Sequence, residues 1–351
     1  MGLFSKKSQS YLGVDFGAAS LKIVELANDI GRPKLITYGF CGGTPDITEN
    51  NWAENKQKLA TLLNHLVKQS HVTTRKVVTA LPNFSVFSSI ISVPPMSKSD
   101  FIKAVNWEAK KFVPMPLEEM MLDWKIIKNE DKAENKNNNQ KVLVTAAPKD
   151  MVNRYVELFK LANLQLLSLE TPVFAIRRSL VGNDKSTIMT ADIGYTTTDI
   201  NVIGRGIPVL NRSVNLGGKI VTQELSKRLG IDEDESENYK QDLSSLGDPV
   251  AIAMLSDVLK VIIQPLVNEI KYCFTLYANQ GDNLGIEKII LTGGSSFLPQ
   301  LADALSHELG VKIFVGDPWS RVIYPVDLKD HLNVIGPSFS VAIGLAMREI
   351  E

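Results

Sequence analysis

The chain has 351 residues, 44% of them hydrophobic and 22% charged, which is the composition of an ordinary soluble globular protein with more than one domain. Its formal net charge of −1 gives no electrostatic basis for nucleic-acid binding. The two cysteines form no CxxC pair, the four histidines lack metal-ligand spacing, and no apolar stretch approaches the roughly 20 residues that span a bilayer. Composition therefore favours a reducing, cytoplasmic setting and argues against a disulfide scaffold or a histidine-built metal site.

The N-terminal region predicts the sheet of a first lobe. Residues 12–26 are predicted to form two strands joined by a turn, because an apolar run ends at Asp15 and Gly17 follows two residues later. The next predicted elements are a strand at 34–40, a helix with a leucine stripe at 51–69, and a strand at 76–81.

Residues 84–169 predict a separate subdomain. Ser97 is the predicted N-cap of a helix that ends near Pro114 and has Asp100 in its first turn. The polar stretch 129–140 predicts a solvated loop. The other predicted elements are strands at 84–93, 124–128, 141–146 and 164–169 and a helix at 148–161. This β-α-β-β-α-β order predicts a ferredoxin-like subdomain.

The second half of the chain predicts another α/β lobe. An apolar strand at 186–192 ends in Asp192, and Gly194 permits a tight turn into a threonine-rich strand at 198–203. The acidic run 232–237 is interpreted as the solvated start of a helix rather than as a metal site. The remaining predicted elements are strands at 208–215, from 288 and at 311–315, and helices at 220–229, 251–279 (interrupted by Pro265) and 336–347.

The Asp-x-Gly turn suits a phosphate group and its cation. Glycine lets the backbone approach a ligand, the hydroxyls of Thr196 and Thr197 can donate hydrogen bonds, and Asp192 can hold a hydrated cation. A single turn of this kind is typical of an ordinary hairpin. Here the pattern occurs both at Asp15 and at Asp192, and an apolar strand also runs into paired glycines at 292–295. This recurrence favours a phosphate-binding function.

Together these three motifs resemble the phosphate-1, phosphate-2 and adenosine motifs of the actin/Hsp70/sugar-kinase superfamily. In that fold two α/β lobes close over a nucleotide, and each lobe presents one hairpin to the phosphates. The stretch 107–119, with the sequence WEAKKFVPMPLEE, is similar to a signature of the PilM family of type IV pilus assembly proteins, which is related to FtsA. The resemblance extends over nearly the whole chain and includes 15–26, 191–194, 216–218 and 291–294.

The resemblance implies an α/β, actin/Hsp70-like two-lobed fold with an inserted subdomain of the FtsA/PilM type and of ferredoxin-like β-α-β-β-α-β order. The implied domains are a first lobe (1A) at 9–83 with 170–185 and 332–351, an inserted subdomain (1C) at 84–169, a second lobe (2A) at 186–222 with 286–331, and a subdomain 2B at 223–285.

The resemblance also implies a role for each motif residue. Asp15, Asp192 and Asp199 would hold the waters around Mg²⁺, which commonly takes only one or two carboxylates because it keeps several of its waters. Lys22 would reach a phosphate of ATP as a point charge. The other implied ATP-binding residues are Gly17, Ser20, Gly194, Thr196 and Thr197 around the triphosphate, and Gly217, Gly218, Glu269, Gly293, Gly294 and Ser295 around the ribose and base.

Three positions depart from the superfamily pattern. Many members have glycine where this chain has Thr196 and hydroxyl-bearing residues where it has Ala18 and Ala19, so contact with the γ-phosphate is expected to be loose. The catalytic residue is unknown, and Glu170 is a candidate only by its position before Thr171. ATP binding is therefore expected, and hydrolysis is expected to be slow at most.

The function that the resemblance implies is that of an ATP-binding cytoplasmic scaffold of type IV pilus, competence or secretion-system assembly. It would dock the N-terminal peptide of a PilN-like inner-membrane protein in the groove beside 84–169, be held at the inner membrane by that partner, and connect it to the pilus motor. Self-association is left open.

Two alternatives remain. An FtsA-like division filament is disfavoured because FtsA normally ends in an amphipathic membrane helix, whereas the sequence ends in the short stretch 348–351. A small-molecule kinase of the same superfamily is disfavoured because the signature at 107–116 stands where sugar kinases carry substrate-binding residues.

Overall fold

The computed structural model describes residues 9–43, 47, 52–127, 139–245, 249–279 and 285–350, so most of the predicted loop at 129–140 lies outside the described residues. In chain order the elements of the first half are β1 (Ser10–Phe16), β2 (Ser20–Asp29), β3 (Arg32–Gly42), α1 (Trp52–Gln69), β4 (Lys76–Ala80), β5 (Phe87–Val93), α2 (Lys98–Ala109), β6 (Met120–Ile127), β7 (Gln140–Pro148), α3 (Lys149–Leu161), β8 (Gln165–Glu170) and α4 (Pro172–Ile176).

The first lobe is built on a five-stranded sheet of order β3-β2-β1-β4-β8. β1, β2 and β3 are antiparallel neighbours, and β4 and β8 continue the sheet parallel to β1. The central strands β1 and β4 are buried along most of their length because helices cover both faces of the sheet. Gly13 on β1 permits close packing, since a Cβ atom there would lie 2.0 Å from the Ala342 carbonyl oxygen of the last helix.

A smaller antiparallel sheet of order β5-β7-β6 is inserted after β4. α2 covers one face of it, and the predicted N-cap is confirmed because the Ser97 side chain accepts a hydrogen bond from the Asp100 N–H. Phe84 and Ser85, predicted as the start of a strand, instead lie in a short 3₁₀ turn (Asn83–Ser85) before β5.

The structure corrects the ferredoxin-like arrangement predicted for this insertion. The β-α-β-β-α-β order is present along the chain, but β8 pairs with β4 in the sheet of the first lobe, with Lys76 opposite Gln165. α3 likewise belongs to the core of the first lobe, where Tyr155 and Phe159 pack around Phe16. Element order alone does not reveal which sheet a distant strand joins.

The second half of the chain forms the second lobe and returns to the first. In chain order its elements are β9 (Ile188–Ile193), β10 (Thr198–Gly204), β11 (Ile207–Val214), α5 (Gly218–Leu229), α6 (Glu233–Ser245), α7 (Pro249–Ala278), β12 (Lys288–Thr292), α8 (Leu301–Leu309), β13 (Lys312–Val315), α9 (Lys329–Ile335) and α10 (Ser340–Met347). The acidic run opens α6 as predicted, and Pro265 lies within α7.

The sheet of the second lobe has the order β11-β10-β9-β12-β13, which repeats the topology of the first. Its first three strands are antiparallel, and β12 and β13 run parallel to β9. β1 and β9 therefore occupy equivalent central positions. The aspartates that end them, Asp15 and Asp192, stand at equivalent places in the two lobes.

The segment after β13, predicted in the second lobe, packs against the first sheet. Trp319 is fully buried beside Tyr38 and Phe339, and the Leu35 N–H donates to the Ile323 carbonyl at 2.9 Å. The chain thus crosses back to the first lobe immediately after β13.

Candidate nucleotide-binding site

Each lobe presents one tight hairpin turn. In the first, the Gly17 N–H donates to the Ser20 carbonyl at 3.0 Å; in the second, the Gly194 N–H donates to the Thr197 carbonyl at 2.9 Å. We call these turns, with the two strands that flank each, hairpin 1 (β1–β2) and hairpin 2 (β9–β10). Both turns were predicted from the Asp-x-Gly pattern, and both are confirmed in their backbone form.

The charged residues of the two hairpins pair differently across their strands. In hairpin 1, Asp15 lies directly opposite Lys22. In hairpin 2, Asp192 lies directly opposite Asp199, which places two carboxylates in one cross-strand pair. Like charges directly opposite each other destabilise a sheet, so hairpin 2 carries an electrostatic cost that hairpin 1 avoids.

The charges of Asp15, Lys22, Asp192 and Asp199 interact with one another across the two lobes. Burial, together with the neighbouring carboxylates of Asp199 and Asp15, raises the pKa of Asp192 to about 7, and the charge of Lys22 opposes that shift. Burial also raises the pKa of Asp15, again against Lys22. The structure therefore brings the predicted cation ligands and the predicted phosphate-binding lysine into one cluster.

Asp199 is also held by hydrogen bonds. Burial raises its pKa, whereas hydrogen bonds from Ser213 and Asn83 favour its ionised form, and the charge of Asp15 adds to the upward shift. Within the described ranges, no group of three or more His, Cys, Asp or Glu side chains is arranged to hold a metal ion.

Hairpin 2 is anchored by the two glycine-containing loops of its own lobe. The Gly194 carbonyl accepts from the Gly218 N–H at 3.0 Å and from the Ser295 hydroxyl at 3.1 Å. Gly293, with φ of +87°, is required where it stands, because a Cβ atom would lie 2.4 Å from an Asp192 carboxylate oxygen. These loops were predicted to approach the ribose and base; what the structure shows is that they fix the turn of hairpin 2.

The remaining predicted residues differ in their exposure to solvent. Gly217 is the buried residue before α5, whereas Gly294 has open space where a Cβ atom would lie. Thr196 is exposed at the tip of hairpin 2, and Thr197 and Ser20 are half-buried. All three hydroxyl-bearing residues are therefore at least partly accessible to solvent.

Two residues of this region, Glu237 and Lys240, were missed by the sequence analysis. The Lys240 ammonium donates to the Glu237 carboxylate at 2.6 Å, to the Thr222 hydroxyl at 2.8 Å and to the Gly218 carbonyl at 3.2 Å, and it lies over the Tyr195 ring. Burial lowers the pKa of Lys240. This pair joins α6 to the start of α5 and to hairpin 2. The available signal was the Glu-x-x-Lys spacing that begins at the end of the acidic run, but that run was interpreted as the solvated start of a helix.

Glu269 does not lie with the other predicted residues. Its carboxylate accepts from the Arg212 guanidinium at 2.8 Å, and that guanidinium stacks on Tyr272. Arg212 is adjacent along β11 to Ser213, which binds Asp199, and neighbouring strand residues point to opposite faces of a sheet. The structure therefore places Glu269 on the α7 face, whereas Glu237 is joined to the Gly218 loop through Lys240.

Glu170 is engaged in a buried ion-pair network. Its carboxylate accepts from the Arg178 guanidinium and lies 3.3 Å from that of Arg348, which joins the end of β8 to the segments before and after the second lobe. Burial raises the pKa of Glu170, and the two arginines oppose the shift. A carboxylate that is already paired with two guanidinium groups is poorly placed to activate water, so the geometry does not support the catalytic role suggested by position.

A second concave region lies where the inserted subdomain meets both lobes. It is a cavity of about 180 Å³ between β5 and β7 on one side and α4 and β11 on the other. Its lining combines apolar side chains with uncharged polar ones, namely Ser88, Ser89, Ile90, Leu143, Thr145, Thr171, Val173, Phe174, Pro208, Val209, Leu210 and Asn211. We call it the junction cavity.

None of the helices in the described ranges combines the length and apolar character that a bilayer crossing needs.

Comparison with known proteins gives a family and a fold. The family model described as type IV pilus assembly protein PilM matches residues 13–350. Among solved structures, a PilM–PilN type IV pilus biogenesis complex contains a chain that is 26% identical with a TM-score of 0.83, and the match covers 97% of this chain and 98% of that one. The MreB5 protein of Spiroplasma citri bound to AMPPNP has a TM-score of 0.52 at 12% identity, covering 96% of this chain and 95% of that one, and shows the actin-like fold alone.

Curated sequences give a more distant relation. A chaperone protein HscA homolog of Rickettsia conorii is 23% identical over 368 residues, which cover 95% of this chain. The chain spans 58% of the length of that relative. The two-lobed actin/Hsp70-like fold predicted from the motifs is thereby confirmed.

Proposed function

This chain belongs to the PilM family of type IV pilus assembly proteins, and on that premise we propose that it is an ATP- and Mg²⁺-binding scaffold of pilus assembly that docks the N-terminal peptide of a PilN-like inner-membrane protein. The observation that carries the nucleotide-binding part is the facing pair of hairpins. One of them holds two carboxylates directly opposite each other, Asp192 and Asp199.

The residues present fit a magnesium nucleotide. Asp15, Asp192 and Asp199 offer oxygen acceptors for the waters of the cation, and Lys22 offers a positive charge for a phosphate. ATP, when bound, supplies a triphosphate whose negative charge Mg²⁺ partly neutralises. The backbone turns at Gly17 and Gly194 would face the phosphates, and the hydroxyls of Ser20, Thr196 and Thr197 would donate to them. Gly217, Gly218, Gly293, Gly294 and Ser295 would lie towards the ribose, together with the Glu237–Lys240 pair.

The junction cavity is the proposed docking groove. Grooves between domains are common binding sites, and this one combines apolar walls with uncharged hydrogen-bonding groups, which suits a short and partly apolar peptide. Such a peptide precedes the membrane segment of its own protein. By docking this peptide, the chain would be held on the cytoplasmic side of the inner membrane and connected to the pilus motor. We propose this as its location and role.

The nucleotide part is tested by thermal unfolding with and without ATP and Mg²⁺. Ligand at about 100 times its Kd stabilises by roughly 2.7 kcal/mol, and Asp192→Asn is expected to remove most of that stabilisation while the unliganded protein still folds. Asp303→Asn is the matched control, because Asp303 is an exposed acid on α8 outside the site. A full ligand-induced shift in Asp192→Asn would remove Asp192 from the site.

The docking part is tested with the synthetic N-terminal peptide of the PilN-like protein from the same organism. Thr145→Arg fills the junction cavity and is expected to abolish peptide binding measured by calorimetry. Ser92→Arg is the control, since Ser92 lies on β5 but is exposed and does not line the cavity. Unchanged binding in Thr145→Arg would place the docking surface elsewhere.

A further inference from the structure

A buried asparagine crosses the boundary between the lobes. Asn83 lies in the turn after β4 in the first lobe and is only 5% exposed. Its amide nitrogen donates to the side-chain oxygen of Asn211 on β11 of the second lobe, and the Asn211 amide donates back to the Asn83 oxygen. The two amides thus form a reciprocal pair between lobes.

The pair is joined to the carboxylate cluster through β11. Asn211 lies two residues before Ser213 on that strand, and the Ser213 hydroxyl donates to the Asp199 carboxylate on β10. Asp199 is the same residue that faces Asp192 in hairpin 2. One buried side chain of the first lobe is therefore bonded to the strand of the second lobe that holds Asp199.

The same pair also borders the junction cavity. Asn211 is one of the cavity-lining residues, and β5, which supplies Ser88 and Ser89 to the opposite wall, begins four residues after Asn83. The pair therefore borders the cavity and is joined to the carboxylate cluster through β11.

We propose that Asn83 and Asn211 form a clasp that couples the cation and nucleotide site to the junction cavity, so that occupation of one changes the geometry and affinity of the other. The inference rests on the proposed function, because it takes Asp199 as part of a magnesium–nucleotide site. A ligand bound between the hairpins orders Asp199 and, through the Ser213 hydrogen bond, the strand β11 that carries Asn211. Binding at the hairpins therefore fixes the Asn211 wall of the cavity, and the clasp joins that wall to the first lobe.

The lobes have another hydrogen-bonded seam, so loss of the clasp leaves them connected. The Thr292 hydroxyl donates to the Pro337 carbonyl at 2.8 Å, and the Gly293 N–H donates to the same carbonyl at 3.0 Å. Variants of the clasp can therefore be compared as folded proteins, and circular dichroism checks that they are.

The first measurement is ATP–Mg²⁺ affinity by calorimetry for the full chain. Asn83→Ala and Asn211→Ala are each expected to weaken binding by about five- to tenfold, which lies within the range for one lost hydrogen bond. The double variant is expected to bind no more weakly than Asn83→Ala, because the two residues act as one unit. Asn106→Ala, on an exposed position of α2, is the control and is expected to bind like the wild type. If Asn83→Ala does not fold, Asn211→Ala, at a half-buried position, tests the same clasp.

The second measurement is hydrogen–deuterium exchange with and without ATP–Mg²⁺. In the wild type the ligand is expected to slow exchange in β5 and β11, and in Asn83→Ala or Asn211→Ala, at saturating ligand, that slowing is expected to be lost. A wild type that binds no ATP–Mg²⁺ refutes the proposed function itself. If the wild type binds ATP–Mg²⁺, either of two results overturns the clasp. One is that the losses of affinity in the single variants multiply in the double variant, and the other is that the ligand still protects β5 and β11 in the variants.

Discussion

The two hairpins have the same backbone turn but opposite charge pairing. In hairpin 1 the strand-end aspartate, Asp15, faces Lys22, so the pair is nearly neutral before any ligand arrives. In hairpin 2 the equivalent residue, Asp192, faces Asp199, and two carboxylates share one cross-strand position. Only a proton or a cation can neutralise that pair. On the proposed function, hairpin 1 would meet a phosphate and hairpin 2 the cation that accompanies it.

The hairpins also differ in how firmly they are held. Carbonyl groups of hairpin 2 accept hydrogen bonds from Gly218, Lys219 and Ser295 of two neighbouring loops. Hairpin 1 is closed by its own turn bond, and its tip residues, Ala18 and Ala19, are exposed. Hairpin 2 is therefore the more preorganised half of the site.

The largest expected effect is a pH dependence that belongs to hairpin 2. The pKa of Asp192 in the folded protein, about 7, exceeds its ordinary value of 3.8, so the folded state binds this proton more tightly than the unfolded state does. The stability that this proton provides is fully present below about pH 4 and is lost as pH rises through 7. The loss is on the order of 4 kcal/mol as an upper bound, from about 1.4 kcal/mol per pKa unit.

The test compares the thermal midpoints of the wild type and Asp192→Asn between pH 5 and 8, without nucleotide and with a chelator. The wild type is expected to lose stability relative to the variant as pH rises, and ATP with Mg²⁺ is expected to reduce that loss. Parallel curves for the two proteins across this range would contradict the charge difference between the hairpins.

Sequence patterns identified the hairpins because their determinants are local. An apolar strand that ends in Asp-x-Gly specifies both the turn and the carboxylate, and this sufficed for Asp15 and Asp192. The facing of the two hairpins, and with it the effect of Asp15 on the pKa of Asp192, depends on how two sheets meet and has no local signature. Sequence suggested Asp199 as a cation ligand but did not show that its partner across the strands is Asp192.

The sequence-based predictions that differ from the structure also depend on tertiary packing, which has no local signature. Glu237 and Lys240 were passed over because an acidic run usually marks a solvated helix, and only tertiary packing brings this one against Gly218. Glu269 was placed near the base because its helix was expected there, whereas Arg212 holds it on another face. The pairing of β8 with β4 spans the entire inserted subdomain, so the order of elements did not reveal it.

The next prediction compares the removal of a positive charge from hairpin 1 with the removal of a negative charge from hairpin 2. Lys22→Met leaves Asp15 and Asp192 without their opposing charge, so the unliganded protein is expected to lose stability at pH 8 and ATP affinity is expected to fall by about tenfold, or roughly 1.4 kcal/mol. Asp199→Asn removes one of two like charges and keeps an acceptor for Ser213, so the unliganded protein is expected to gain about 1 kcal/mol at pH 8.

Thermal midpoints and calorimetry measure both changes, and Lys125→Met, at an exposed position of β6, controls for loss of a lysine. A loss of stability in Asp199→Asn as large as that in Lys22→Met would show that the hairpins are electrostatically equivalent after all.

A smaller effect concerns the two tips. Hairpin 2 offers the hydroxyls of Thr196 and Thr197, whereas hairpin 1 offers Ala18 and Ala19. Replacing both alanines with serine is expected to tighten ATP binding by a few-fold, since one added hydrogen bond contributes about 0.5–1.5 kcal/mol. The wild type is expected to release phosphate far more slowly than a median enzyme, whose kcat is roughly 10 s⁻¹. Turnover near that rate would show that the exposed alanine tip does not limit contact with the γ-phosphate.

The smallest expected effect is a difference in hydrogen–deuterium exchange between the hairpins. The amides of Gly218, Lys219 and Ser295 already donate to carbonyls of hairpin 2, so peptides that contain them are expected to exchange slowly and to change little when ATP and Mg²⁺ bind. Peptides covering Ala18 and Ala19 are expected to exchange quickly at first and to gain protection with the ligand, because ordering of the exposed tip accompanies contact with a phosphate. The comparison needs both sets of peptides from one sample, so that ligand occupancy is identical. Equal gains in the two hairpins would mean that hairpin 2 is not preorganised, and the hydrogen bonds from its neighbouring loops would then have to open and close with the nucleotide.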